Sequence, residues 1–391
     1  MRPLKLDHPF QEPLHGRFKK FHLELFNWMD REDINIIMKR KEEGIKIPLE
    51  KNVQAKEGTN YFEYVKLIHN ALPELEFDEI STEVEFLGRR FSTPIMIDSM
   101  TGGSELSAKI NENLALAAEE LNIPMGVGSQ RAGLKSDLLA ETYSIVRKRA
   151  PNAYIMANIG GAQLAKGFSI EDAKKIIDMI KANALIIHLN PLQELIQPEG
   201  DTNFKGVLDK IREFTKALDV PIIVKEVGAG ISREVAIKLE LAGVAAINVS
   251  GYGGTSWAGV EQLRAEAAKV KDKADLGLLF WDWGIPTAAA LLEVCNSVKV
   301  PVIASGGIRN GLEIGKSLVL GATMSALAYP FLKLALESKE AVIEKVKSLT
   351  LELKATMFLL GVKEVSKMKH VRYILLGPLA EWARSLKGKW I

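Results

Sequence analysis

The chain has 391 residues, a formal net charge of +2, 47% hydrophobic and 26% charged residues, the balance of an ordinary soluble globular protein. So even a charge gives no electrostatic reason for nucleic acid or a membrane surface as partner. The single cysteine, Cys295, excludes an intramolecular disulfide and fits a reducing compartment such as the cytoplasm. It lies in the apolar helical pattern "AAALLEVCNS", where a buried thiol is expected rather than a nucleophile. No stretch approaches the ~18–20 apolar residues of a membrane span, and the N-terminus carries no uninterrupted apolar run, so no stable membrane association is expected.

In chain order, "FKKFHLELFNWM" comes first, with Phe18, Phe21, Leu25 and Trp28 at helical spacing. It predicts a helix packed on the main domain; the acidic "DREDI" that follows argues against a membrane-surface anchor. Short apolar runs then recur: "PIMID" at Pro94, "PMGVG" at Pro124, "YIMANIG" at Tyr154 and "ALIIHLN" at Ala184. They continue with "PIIVKEV" at Pro221, "AAINVS" at Ala245, "PVIASGG" at Pro301 and "TMSALAY" at Thr323. Segments such as "EDAKKIIDMIKA" and "GVLDKIREFTKAL" separate them, with apolar residues at three- and four-residue intervals.

Apolar strands alternating with amphipathic helices mean a parallel sheet covered by helices. Eight units in ~240 residues match an α/β fold of the (β/α)₈ TIM-barrel type, favoured over a doubly wound sheet. Residues 1–90 would form an N-terminal extension, and 91–391 the barrel with C-terminal helices, one of them starting near Ala341. The longest connection, Gly251 to Val300, is expected to act as a lid.

Chemistry in such a barrel sits at the C-terminal strand ends. Here those ends read "MTGG", "GSQR", "ANIGG", "HLNPLQE", "KE", "SGYGGTSW", "SGGIRNG" and "AY". A barrel built for stability alone has no need of amides, hydroxyls and glycines at every mouth. Adjacent glycines in "SGGIRNG" let backbone N–H groups approach an anion at a helix start, which predicts a phosphate site with Gly253, Gly254 and Thr255 as further donors. Lys225, on a buried strand, calls for an anion or an electron-rich ring beside it.

"RK" at Arg40, "ALPEL", "SMTGG", "GVGSQRA", "HLNPLQE" with "QPEGD", "VKEVGAG", "SGYGGTSW", "WDWG" and "SGGIRNG" together resemble the type 2 isopentenyl-diphosphate isomerases. The resemblance runs from Arg40 to the "EW" at Trp382; "GVGSQRA" and "HLNPLQE" with "QPEGD" are its specific motifs, whereas "SGGIR" is shared with other FMN barrels. It implies an isomerase of isopentenyl and dimethylallyl diphosphate that uses reduced FMN and Mg²⁺. NADPH or another donor would reduce the flavin, and the protein would be a homo-oligomer, a tetramer or octamer. Matched residue by residue, it places FMN on Asp98, Ser99, Met100, Thr101, Ser129, Asn158, Lys225, Ser250, Thr255, Gly307, Ile308, Arg309, Ala328 and Tyr329. It places substrate on Arg40, Lys41, Ser129, Gln130, Arg131 and Gln193, with His188, Asn190 and Gln193 at the reacting centre and Mg²⁺ on Glu194. A diphosphate needs cations beside it, and one carboxylate plus phosphate oxygens is a usual way to hold Mg²⁺. No ordinary acid–base pair stands at the strand ends beyond His188 and Glu194. The resemblance itself implies that the reduced flavin handles protons.

Two positions depart from the family's pattern. Gly44 in "RKEEG" replaces a His that would contact diphosphate, and Asn248 in "NVSG" replaces an Asp. The segment before Arg40 is also longer than usual. Two other readings stay open on the sequence: an FMN-dependent oxidoreductase on the same barrel, and a flavin-binding protein without catalysis. The absence of any His between His188 and His370 counts against the first, because hydroxyacid oxidases place a His base near the late strands. Intact Arg131, Gln193 and Glu194 count against the second.

Overall fold

Each of the eight apolar runs forms a parallel strand in the computed structural model of the protein, which describes residues 31–388. The helix expected around Phe18, Phe21, Leu25 and Trp28 lies outside the described residues. The described chain begins with α1 (Arg31–Glu50), β1 (Val65–Leu67) and a hairpin of β2 (Val84–Phe86) and β3 (Arg89–Phe91). The barrel starts with β4 (Ile95–Ile97), α2 (Glu105–Glu120), β5 (Met125–Gly126), α3 (Asp137–Arg149) and β6 (Ile155–Gly160). Next come α4 (Gly161–Ala165), α5 (Ile170–Ile180), β7 (Ala184–His188), α6 (Pro191–Ile196), α7 (Val207–Ala217) and β8 (Ile222–Lys225). They are followed by α8 (Arg233–Leu241), β9 (Ala246–Asn248), α9 (Trp257–Ala267), α10 (Lys271–Leu279) and α11 (Thr287–Cys295). The last units are β10 (Val302–Ala304), α12 (Gly311–Val319), β11 (Met324–Leu327), α13 (Tyr329–Glu337) and α14 (Lys339–Leu359). β12 (Tyr373–Leu375) and α15 (Gly377–Gly388) end the described chain.

β4 through β11 close on themselves in the order β10-β11-β4-β5-β6-β7-β8-β9, every neighbouring pair parallel, so the sheet is a (β/α)₈ barrel and not doubly wound. Alternation along each strand divides the core into two layers. In β7, Ala184 and Ile186 join Met96, Met156, Ile223, Ile303 and Met324 inside the barrel, while Leu185 and Ile187 face the helices. Phe86 and Phe91 of the β2–β3 hairpin pack into the inner layer, where Phe91 meets Tyr154 edge to face at 5.4 Å. Inner apolar side chains and this aromatic plug leave polar groups only at the opposite strand ends.

Residues 31–90 are woven into the rest. β1 pairs antiparallel with β12, and α1 packs against α9, α13 and α2. The connection from Gly251 to Val300, expected as a lid, holds the three helices α9, α10 and α11, and its α9 forms one wall of the strand-end cavities. No helix among the described residues is long and apolar enough to cross a membrane.

Candidate active site

Two adjoining cavities open at the C-terminal strand ends, sharing Gly44, Ser99, Met100, Thr101, Lys225, Val227 and Trp257. The first is bounded by Asp98 to Thr101 after β4, Ser250 after β9, Ser305 to Arg309 after β10, and Ala328 with Tyr329 at the start of α13. Gly306 and Gly307 have φ of +106° and +73°, a left-handed backbone that side-chain-bearing residues rarely adopt. A Cβ on Gly306 would strike the Gly251 carbonyl, and one on Gly254 would come within 2.6 Å of the Gly307 nitrogen. This close backbone approach makes a cradle of N–H groups between the loops after β9 and β10, next to the late strands where phosphate sites of such barrels lie. The Ser99 hydroxyl, on the wall of both cavities, is buried without a hydrogen-bond partner. A buried orphan hydroxyl and a glycine-built cradle fit a phosphate-bearing planar cofactor.

Beneath that cavity lies a buried polar cluster. Lys225 Nζ is 3.7 Å from Asp98 Oδ2, which also accepts from Asn248 Nδ2 at 3.2 Å. Asn248 Oδ1 accepts from Ser305 Oγ at 2.6 Å and from the Ser250 nitrogen at 3.3 Å. The amide at 248 thus donates to a carboxylate and accepts from a hydroxyl at once, a double role that an ionised Asp could not fill. Glu226, just past the end of β8, turns the other way and takes the N–H groups of Val227, Gly228 and Ala229.

The second cavity is lined by cations. Arg40 and Lys41 reach it from α1, and Arg131 from the turn Gln130–Leu134 after β5. Burial first, then the charges of Arg40 and Arg131, push the Lys41 ammonium down to about 7. Burial and Arg131 likewise lower Arg40. Cations that depress one another in the same hollow form a site for a polyanion. Burial and the neighbouring Lys225, Lys41 and Arg131 hold His188 down to about 3, so its ring is neutral, with Nδ1 2.8 Å from Asn158 Oδ1.

The end of β7 organises the rest. Pro191 starts α6, whose first turn turns Gln193 and Glu194 in different directions. Glu194 accepts from Asn190 Nδ2 at 3.1 Å and from the Asp201 nitrogen at 2.7 Å, and it borders the cavity. Asn190 Oδ1 is buried without a partner on the same wall. Among the described residues no group of three or more His, Cys, Asp or Glu could hold a metal alone, so a cation here would need ligand oxygens from the substrate. Gln193 points instead at Glu261 of α9, donating Nε2–H to Oε1 at 2.9 Å. Glu261 is bound by Arg264 at 2.6 Å, and Arg264 also reaches Glu43 of α1 at 2.9 Å and Glu199 at 2.8 Å. Against burial, these three carboxylates hold Arg264 protonated beyond its ordinary range.

Every residue proposed from the sequence borders one of the two cavities except Gln130 and Gly253. Gln130 is fully buried: its Nε2 donates to the Ile176 carbonyl at 2.9 Å, and its Oε1 accepts from the Asn158 nitrogen at 3.1 Å. Both ends of the amide are used inside the fold, where Gln130 supports Asn158. Trp257 closes the strand-end stretch "SGYGGTSW", whereas Glu261 and Arg264 are not among the residues read from the sequence. They lie further along the helix, where reading strand ends alone does not look; the apolar-to-charged step in "WAGVEQLR" is the available signal.

The sequence pattern of the FMN-dependent dehydrogenase family matches residues 45–158 and 163–373. The isopentenyl-diphosphate delta-isomerase of Pyrococcus furiosus is 48% identical over 351 residues, covering 88% of each chain. That of Methanosarcina mazei is 46% identical over 349 residues, covering 89% of this chain and 95% of its own. Among solved structures, a lactate oxidase of Pediococcus acidilactici superposes with a TM-score of 0.63 at 18% identity, covering 88% of this chain and 94% of its own, a likeness of fold. The chain therefore belongs to the FMN-dependent dehydrogenase family of (β/α)₈ barrels and, by its relatives, to the isopentenyl-diphosphate delta-isomerases.

Proposed function

We propose that this protein interconverts isopentenyl diphosphate and dimethylallyl diphosphate. The observation that carries the reading is the joining of a cation-lined cavity to a glycine-cradled one across Ser99, Thr101 and Lys225. Arg40, Lys41 and Arg131, with neutral His188 as a hydrogen-bonding partner, receive the diphosphate. Glu194, fixed by Asn190 and Asp201, would offer one carboxylate to Mg²⁺, whose charge would help to hold the diphosphate. In the isomerisation the terminal methylene carbon gains a proton and the carbon next to the oxygen-bearing one loses a proton, so the oxidation state is unchanged. FMN in the first cavity, in its reduced form, supplies the acid–base chemistry. Gln193, aimed by Glu261, orients the alkene, and Trp257 excludes water from its side. The oxidoreductase alternative lacks a His base near the late strands: among the described residues after His188, the one His, His370, is exposed and borders neither cavity.

NADPH or another donor reduces the flavin in this reading, the protein works in the cytoplasm, and it assembles as a tetramer or octamer. Leu278, Leu279 and Trp283, 55%, 74% and 62% exposed near one another in sequence, are the residues that favour self-association. The test is anaerobic incubation of the FMN-loaded protein, photoreduced, with isopentenyl diphosphate and a Mg²⁺ series. Dimethylallyl diphosphate should form without stoichiometric loss of reductant, and Glu194→Gln should move the Mg²⁺ dependence to higher concentration with part of the rate recovered by excess metal. Turnover coupled to one reductant per product would establish an oxidoreductase instead.

A further inference from the structure

The glycine cradle is not self-supporting. Thr255 and Arg309, which border it, are joined from behind by Gln54, a residue of the segment that follows α1. Gln54 Nε2 donates to Thr255 Oγ1 at 3.2 Å, and its Oε1 accepts from an Arg309 guanidinium nitrogen at 2.8 Å. One amide therefore bridges the loop after β9 to the loop after β10, using its donor on one and its acceptor on the other. Its backbone is fixed as well. The Gln54 carbonyl accepts from Trp281 Nε1 at 3.0 Å, Ala55 N–H donates to the Gly254 carbonyl at 2.8 Å, and the pair Gln54–Thr255 forms an isolated antiparallel bridge. Six residues on, buried Asn60 donates to the Gly307 carbonyl at 2.9 Å.

Arg309 shows why the bridge matters. Its backbone N–H is held by Glu313 at 2.7 Å, and its guanidinium lies 5.3 Å from the centre of the Tyr329 ring on the cavity wall. Two of its five side-chain N–H groups are used, one on the Ile308 carbonyl and one on Gln54. Without Gln54 the guanidinium would lose the acceptor that sets its rotation, while the Thr255 hydroxyl would lose its donor and be free to turn.

We propose that Gln54 is the positioning residue that sets how tightly this protein holds the phosphate of its flavin. It acts through Thr255 and Arg309 and not by contact, since it borders neither cavity. The inference rests on FMN occupying the first cavity with its phosphate at the cradle. Because only the phosphate end of the ligand feels the bridge, loss of Gln54 weakens FMN while leaving riboflavin, the same ring system without phosphate, unaffected.

The experiment is flavin binding to the full chain stripped of cofactor, followed by quenching of flavin fluorescence, with oxidised FMN and riboflavin as the two probes. Gln54→Ala should raise the Kd for FMN about tenfold, the scale of two lost hydrogen bonds, with the Kd for riboflavin unchanged. Gln54→Glu keeps an acceptor for Arg309 but loses the donor to Thr255 and places a negative charge behind the cradle. It should weaken FMN at least as much and again spare riboflavin. Equal weakening of both flavins would mean general loosening of the cavity and overturns the assignment, as would an unchanged FMN Kd in both variants. A wild-type protein that takes up riboflavin as tightly as FMN would overturn the phosphate cradle itself. One that takes up neither flavin would overturn the FMN reading, and the role of Gln54 with it.

Discussion

Lys41 is the residue whose chemistry is most altered by its place. It sits among Arg40 and Arg131, with Nζ 3.3 Å from the Ser129 carbonyl, and burial together with those cations brings it to about 7. The sign follows directly. A folded-state value below that of the unfolded chain means that the fold binds the proton less tightly. The ligand-free protein is therefore stabilised as pH rises from about 7 toward the ordinary lysine value of 10.5, and that contribution is absent below about 7. An arriving diphosphate reverses the balance and restores the proton. At pH 8, binding of isopentenyl diphosphate should take up close to one proton, read by calorimetry in buffers of different ionisation enthalpy. At pH 6 the uptake from Lys41 should vanish. Lys41→Arg, charged at both values, should bind with no such uptake; if it takes up the same proton as wild type, the titrating group lies elsewhere. None of this was legible in the sequence, where Lys41 was one cation beside another. The depression arises first from burial, then from Arg40 and, to a smaller extent, from Arg131, some ninety positions away, which the fold brings to the same hollow.

At the scale of elements, strand positions were legible because each apolar run is short and buried on both faces. Helix limits are close where the apolar spacing is clear; the segment read from Ala341, for instance, is α14 from Lys339 to Leu359. What composition could not give was which element would cover the site. Pattern alone pointed to the long connection after β9, and one wall does come from there; the other comes from α1, whose own sequence has weak helical credentials. It contains Pro48 near its end and Gly44 in its interior. An interior glycine weakens a helix by roughly 0.5–1 kcal/mol against alanine. Packing does not demand it, because a Cβ at Gly44 would meet only Trp257 Cη2, at 3.9 Å. Space on the cavity side therefore lets a ligand-contacting side chain fit. Gly44→His should lower KM for the diphosphate several-fold with little change in kcat, the mark of binding felt equally by ground and transition states. Gly44→Ala should leave KM unchanged and raise thermal stability slightly. If the His variant lowers kcat along with affinity, the imidazole is obstructing the site and α1 must move during turnover.

At the scale of the molecule, the two ends of the described chain are stitched to each other and then to the site. β1 pairs with β12 from Val65 opposite Leu375 to Leu67 opposite Tyr373, and Lys316 of α12 donates to the Phe62 carbonyl at 2.7 Å. The Asn70 and Ser81 nitrogens donate to the Leu359 and Lys363 carbonyls, both at 2.9 Å. α15 packs on α11, with Leu379 fully buried, and Trp382 Nε1 donates to Glu293 Oε1 at 2.9 Å. The segment that β12 anchors runs straight back from β1 to Asn60 and Gln54, so the C-terminal elements brace the loops after β9 and β10 without approaching them. This long-range dependence was the least legible part of the fold: β1 and β12 are three residues each, too short to announce a pairing across some three hundred positions. Two variants separate bracing from ordinary stability. Trp382→Phe leaves Glu293 one donor short but keeps the strand pair, and should cost about 1–2 kcal/mol, a drop in Tm of roughly 2–4 °C. Its Kd for FMN should equal that of wild type. Ending the chain after His370 removes β12 and α15, bares the edge of β1 and strips Leu379 from the core. That chain should lose more than twice as much in Tm and also bind FMN more weakly, because Gln54 and Asn60 then sit on an untethered segment. Full FMN affinity in the shortened chain would show that the hydrogen bonds around Gln54 hold the phosphate loops without help from the strand pair.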